Sequence, residues 1–372
     1  MAARIPYSKA ALGHYETGHR PVTAEVAGWY EHVCGQFTDA VTAVTVLGRA
    51  DVDRRSFLRG ALYSAALSAT ALAPAPDIAR LSTVTESSRV GMAEVEAVRG
   101  VTDAFLRLTE VRGGKMGRSA VAEFLATDVA TLLRSRFADA QVRRHMFSAA
   151  AELAYHAGFE AHDAGQDGLA QRYYLSALRL AQEGGEPGQD GFVFRILALH
   201  SNDVGQSRHS VALAERAVAS ARDHLSPENT AVFRVALARS HAESGDKAAA
   251  LSVIRDTERW ITPTRAEELP RWARIFCPSN GTLIHQTAKT FGAIGDLTVA
   301  ERYTHMAATV WDPDTHTRVH ALTLAEAGLQ RWQLGRHEDA AQLWRTAVPM
   351  LADVNSDRAG KMLASIQSIS AG

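Results

Sequence analysis

The chain has 372 residues, 46% hydrophobic and 22% charged, with a formal net charge of -1, long enough for two domains or one extended array. That balance excludes a global electrostatic pull toward nucleic acid or a membrane surface. Its two cysteines, Cys34 and Cys277, stand far apart without metal-ligand spacing, which fits a reducing compartment and calls for no disulfide.

The first expected helix runs from Lys9 to Thr17, with Ser8 as N-cap, Leu12 and Tyr15 on one face and Gly18 closing it. A second follows Pro21, capped by Thr23, with Val26, Trp29, Tyr30 and Val33 as its apolar face and Gly35 as its stop. A short helix ending in aromatic-Glu-x-Gly, then a basic residue, a proline and another amphipathic helix, resembles the second half of the Xre-type helix-turn-helix. The matching residues are Ser8, Lys9, Leu12, Tyr15, Glu16, Gly18, Arg20 and Pro21. The resemblance implies that the helix from Ser8 is a recognition helix, with Lys9 and Ala10 toward base edges. Ser8, His14 and Arg20 would then lie nearer phosphates, where they position without reading sequence. Two helices precede the recognition helix in that family, whereas seven residues precede Ser8, so the expectation for 1–48 is a partial helix-turn-helix. Either translation starts upstream of Met1 or the first two helices have been lost. DNA is therefore expected as a partner if the module is complete or complemented. Seven Lys/Arg against six Asp/Glu in the first 60 residues make a weak electrostatic footprint.

Residues 49–92 read as an apolar linker helix and a flexible linker. The run DRRSFLRGALYSAALSATALAPAP, Asp53 to Pro76, looks like a twin-arginine export signal, but it is internal and follows a helical segment. It is too short to span a bilayer. The favoured reading is an apolar helix joining two domains and packing in a homodimer, with Arg54, Arg55 and Arg59 as a solvated or phosphate-facing edge. A cytoplasmic protein without membrane contact is expected. The chain from Pro76 to about Gly91 is rich in Ser and Thr, as in a linker.

Two capping helices are expected within 93–139. Phe105, Leu108 and Val111 mark one, ended by Gly113-Gly114; Val121, Phe124, Leu125, Val129, Leu132 and Leu133 mark the next.

The remainder, 140–372, repeats. Gly165, Gly205, Gly245, Gly295 and Gly335 are spaced by 40, 40, 50 and 40 residues. Five residues after each comes Ala170, Ser210, Ala250, Ala300 or Ala340, and seven further on Ala177, Ala217, Thr257, Ala307 or Ala347. Seven before each comes Gly158, Ala198, Ala238, Ala288 or Gly328. Small residues at fixed offsets let antiparallel helices approach closely, and the glycine ends the first helix in a left-handed conformation. Each repeat is then a helical hairpin that needs its neighbours to bury its faces. Between the two downstream small positions stands Tyr174, Ala214, Ile254, Thr304 or Trp344, expected to fill the space between successive hairpins. Longer loops would account for the wide spacing.

The pattern resembles the tetratricopeptide repeat over 145–355. Its clearest copies are Gly158, Gly165, Ala170, Tyr174, Ala177 and Gly328, Gly335, Ala340, Trp344, Ala347, although Ala154 and Arg234 stand where an aromatic is expected. The whole order, and the run from Ser148 to Gln182 above all, resembles actinobacterial regulators with an Xre helix-turn-helix, a linker helix and a tetratricopeptide-like sensor array. That resemblance implies an all-α chain with a right-handed α-solenoid of helical hairpins, and transcriptional control by a peptide, protein or small signal. The alternative is an interaction scaffold without DNA binding.

The first helix of each pair would line the ligand groove. The repeat register puts Tyr155, Phe159, His162, Arg195, Asn202, Arg239, His285 and Lys289 on that face. An asparagine can both donate to and accept from a peptide backbone, and the cations can engage a carboxylate. No catalytic, cofactor-binding or metal-binding residues are expected. The chain lacks a Gly-rich phosphate loop after a strand and a Gly-x-Ser-x-Gly elbow, and His316 and His320 lack the glutamate of a zinc-protease helix.

Overall fold

A computed structural model of the chain describes residues 39–51, 89–265, 267–275, 277 and 279–371. Both helices expected before residue 36, the apolar linker helix and Ser8, Lys9, Ala10, His14 and Arg20 lie outside the described residues. The fold is all-α, with a two-residue parallel pairing of β1 (Arg89–Val90) and β2 (Arg136–Phe137). Among the described residues no helix is long and apolar enough to cross a membrane. The chain divides into two compact units: residues up to Leu106 with Gly114–Glu186, and Arg107–Gly113 with Pro187 onward.

In the first unit, α1 (Ala40–Asp51) begins at Asp39, whose carboxylate accepts from the amides of Val41 (2.8 Å) and Thr42 (3.2 Å). It buries Val41, Val44 and Leu47, and a Cβ on Gly48 would sit 2.7 Å from the Ala122 carbonyl. This helix crosses the sequence-based boundary at 48/49. Its partners are α3 (Arg118–Phe124), a π-helical turn (Leu125–Val129) and α4 (Ala130–Arg134), which occupy the second expected capping stretch. The first is α2 (Met92–Arg112), which belongs to this unit as far as Leu106 and is stopped by Gly113 at φ 89. The hairpin of α5 (Ala140–Asp163) and α6 (Asp167–Gly184) completes the unit. At the end of α1, Asp51 accepts from Arg118 Nη1 at 2.7 Å and from the Tyr173 hydroxyl at 3.0 Å. Burial pushes the Asp51 carboxyl up despite the arginine charge.

Among the described residues the second unit contains four hairpins: α7 (Gln189–Asp203) with α8 (Ser210–Arg222), α9 (Pro227–Glu243) with α10 (Lys247–Thr257), α12 (Gly281–Ile294) with α13 (Leu297–Val310), and α14 (Thr317–Gln333) with α15 (His337–Ala352). A last helix, α16 (Asp357–Ala371), follows. First helices meet first helices where α7 packs on α9 and α9 on α12, while α8 packs on α9 and α13 on α14.

Five hairpins across the two units close alike. Each of the five spaced glycines has positive φ, and the amide after it reaches back five residues: Gln166 to Ala161, Gln206 to Ser201, Asp246 to His241, Asp296 to Phe291 and Arg336 to Arg331, at 2.8–3.0 Å. This is the Schellman closure, which satisfies carbonyls orphaned at the helix end. Asp246 and Asp296 then cap the following helices through the amides of Ala249 and Val299. All fifteen small positions of the register are buried.

Two of the five residues between the small positions sit differently from expectation. Tyr174 and Trp344 fill the crossing of their own hairpins: a Cβ on Gly158 would lie 2.6 Å from the Tyr174 ring, and one on Gly328 would overlap the Trp344 indole. The large ring occupies the volume the glycine leaves open, so it locks one hairpin internally.

The 50-residue spacing is explained by a segment after α10, a 3-10 turn (Glu258–Trp260) and the short α11 (Arg271–Arg274). This segment buries Ile261, Leu269, Trp272 and Cys277. Its Trp272 packs on Phe192 of α7, ring centroids 5.8 Å apart.

Candidate functional site

Helical periodicity brings Phe192, Arg195 and Asn202 onto one stripe of α7, and Asn229, Val232 and Arg239 onto one of α9. The first helices of the second unit therefore meet along a seam of charged and amide side chains. Arg195 Nε donates to the Val232 carbonyl at 3.0 Å, and Asn202 Nδ2 donates to Ser240 Oγ at 3.2 Å. Arg239 Nη2 donates to Asp203 at 2.6 Å, Nε to Glu243 at 3.4 Å and Nη1 to Gln286 Oε1 of α12 at 3.2 Å. Further along, Glu326 of α14 takes His285 Nε2 at 3.0 Å and Lys289 Nζ at 2.5 Å, both from α12.

Arg195, Asn202 and Arg239 are 1%, 7% and 5% exposed; His285 and Lys289 are half-buried. Burial works against the Arg239 charge, yet the carboxylates of Asp203 and Glu243 outweigh it and hold the guanidinium more firmly protonated. Glu326 shows the same balance with the opposite sign: burial raises it, but Lys289 and His285 drive its carboxyl far below the usual range. The charges of Arg239 and Lys289 are thus already committed within the seam. Arg195 differs, because among the described residues no carboxylate pairs with it. Its guanidinium instead faces the Phe192 ring at 5.6 Å, and its Nη2 is buried without a hydrogen-bond partner. The Oδ1 of Asn202 is buried in the same condition.

The other three expected groove residues belong to α5 in the first unit. Tyr155 is buried and stacks on Tyr174, ring centroids 5.6 Å apart. Phe159 is half-buried. His162 is half-buried as well, with Nδ1 2.6 Å from Asp167 Oδ1. The register thus placed each residue on a first helix, but Tyr155, Arg195, Asn202 and Arg239 are enclosed rather than solvent-facing.

Sequence reasoning missed the acidic half of the seam. Asp203 sits beside Asn202 and Glu243 one turn from Arg239, whereas Glu326 lies on α14, where no groove residue was expected; pairing cations with carboxylates on their own and neighbouring first helices was the available signal. It also missed a buried polar row on α5, where Glu152, His156, Glu160 and Asp163 are all enclosed. Their spacing of three to four residues was the available signal. Comparison of the chain with protein-family models, curated proteins and solved structures finds no match to any of the three.

Proposed function

We propose that the chain is a non-enzymatic, cytoplasmic transcriptional regulator in which the hairpin array senses a peptide, protein or small signal and thereby controls DNA binding by the N-terminal segment. The observation that carries the sensing half is the polar seam of the second unit. Burying four charged or amide side chains, Arg195 and Asn202 on α7 and Asn229 and Arg239 on α9, is costly unless each is satisfied, and this seam leaves hydrogen-bonding capacity at Arg195 and Asn202. Recognition of a polar ligand uses that capacity. The DNA half rests on the resemblance of Ser8 to Pro21 to a recognition helix, and a homodimer would present two such helices to a repeated half-site.

The test is binding of the full chain to its own upstream DNA across a salt series with nonspecific competitor. Selective, salt-dependent binding supports the regulator. A chain that ignores this DNA, alone and when extended upstream in frame, yet holds a protein partner stably is a scaffold instead.

A further inference from the structure

We infer that the junction between hairpins α12/α13 and α14/α15 is an acid-sensitive joint, in which protonation of His305 loosens the packing of α13 on α14. The inference concerns the second unit alone and stands apart from the ligand and DNA readings above.

Glu301 and His305 lie one turn apart on α13, which packs on α14. Glu301 is 7% exposed and spends both carboxylate oxygens on arginines. Its Oε1 takes Arg331 Nε of α14 at 2.7 Å, and its Oε2 takes Arg336 Nη1, in the turn before α15, at 3.5 Å. Arg336 also donates from Nε to Asp339 at 2.9 Å. His305 is half-buried, and its Nδ1 is enclosed without a hydrogen-bond partner. A neutral imidazole fits that position with its proton on Nε2 and a lone pair on Nδ1. Protonation puts a second N–H there that meets no acceptor, and a positive charge beside two arginines whose shared carboxylate is already taken.

The other ionisable groups of the packed helices are engaged elsewhere. On α12, His285 and Lys289 face Glu326 of α14. On α14 itself, Arg318 pairs with Glu110, and His320 Nδ1 donates to the Ala308 carbonyl at 3.0 Å. Arg302 of α13 lies over the Tyr303 ring. That leaves Glu301 as the carboxylate beside His305. Burial and the charges of Arg331 and Arg336 hold the His305 imidazole below the ordinary histidine range, against the pull of Glu301. A base lowered in this way favours the folded state when neutral. Its contribution is complete above the unfolded value near 6.5 and is lost as pH falls through the folded one. Glu326, driven below the usual carboxylate range, titrates outside that window.

The experiment is hydrogen–deuterium exchange of the full chain at about pH 7.5 and about pH 5.5, with rates corrected for the pH dependence of intrinsic exchange. In wild type, peptides from α13 and α14 are expected to lose about fivefold in protection on acidification. His305→Gln keeps a neutral polar side chain and should lose most of that response. Should that variant fail to fold, Arg336→Gln, at an exposed site, frees a Glu301 oxygen to accept from the protonated ring and should cut the loss to about twofold. Unchanged wild-type protection of α13 and α14 between the two pH values overturns the joint. So does an acid loss in either variant as large as that of wild type.

Discussion

Hairpin α14/α15 fills its crossing with the Trp344 indole against a bare Gly328, whereas α7/α8 holds Ala198 and Ala214 at the same register positions, both fully buried. One hairpin puts a single large ring on one helix, and the other puts a methyl on each of two. The indole is fixed further by donating from Nε1 to the Ala325 carbonyl at 3.2 Å and stacking on Trp332 at 5.7 Å. Equivalent crossings thus hold side chains of very different size, an indole against a bare glycine in one and two methyls in the other, so close packing has to be completed by different neighbours in each.

The strongest way to break this comparison is Trp344→Ala. It leaves a cavity with glycine on the facing side, and a loss of about 4 kcal/mol in urea unfolding is expected. Adding Gly328→Ala to that variant recreates the pairing of α7/α8. The double variant should recover part of the loss, and a cycle with no coupling would refute the direct fit of the Trp344 ring to Gly328. Alone, Gly328→Ala should cost about 3 kcal/mol, because the new methyl meets a ring that its hydrogen bond holds in place.

Glu326→Gln, on the same α14, sharpens the comparison by leaving the crossing untouched while removing the charge shared by His285 and Lys289. A loss of about 2 kcal/mol at neutral pH is expected in the same unfolding assay. The pH dependence has a definite sign. The folded-state carboxyl is lowered below its unfolded value near 4.5, so its contribution is present above that value and is lost as pH falls below it. Wild type and variant should therefore converge in acid. The smallest effect is expected at Gly245, φ 91, where nothing stands within 4 Å of an added Cβ. Gly245→Ala should cost about 1 kcal/mol from backbone strain alone, and Gly245→Asn less, measured by thermal melting.

The glycine register was legible in the sequence because it reflects a backbone requirement: a positive φ at the end of a first helix admits few residues. Small positions were legible for a related reason, since burial at a helix crossing excludes most side chains. The placement of Tyr174 and Trp344 was not, because a ring beside a small-residue stripe can fill either the crossing within a hairpin or the contact between hairpins. Only the pairing with Gly158 and Gly328 decides it. For the candidate site, periodicity located the helix face but not the depth of each side chain. Arg195 and Arg239 look alike as cations on first helices, yet Arg239 is bound by Glu243 of its own helix and Asp203 of the facing one, while among the described residues no carboxylate pairs with Arg195; the Asp203 contact depends on the facing helix. The relation of α1 to α3 was hidden for the same reason, as Asp51 and Arg118 are 67 residues apart.

The internal lock of α14/α15 also bears on how such an array can change length. Gly328 and Trp344 travel together inside one hairpin, so duplication or exchange of a whole hairpin carries both halves of the fit. A recombination point falling between α14 and α15 would separate them, pairing an indole with an alanine or a glycine with another small residue. The tight turn at Gly335 is therefore the poorest place to splice two arrays, and the connections between hairpins are the best.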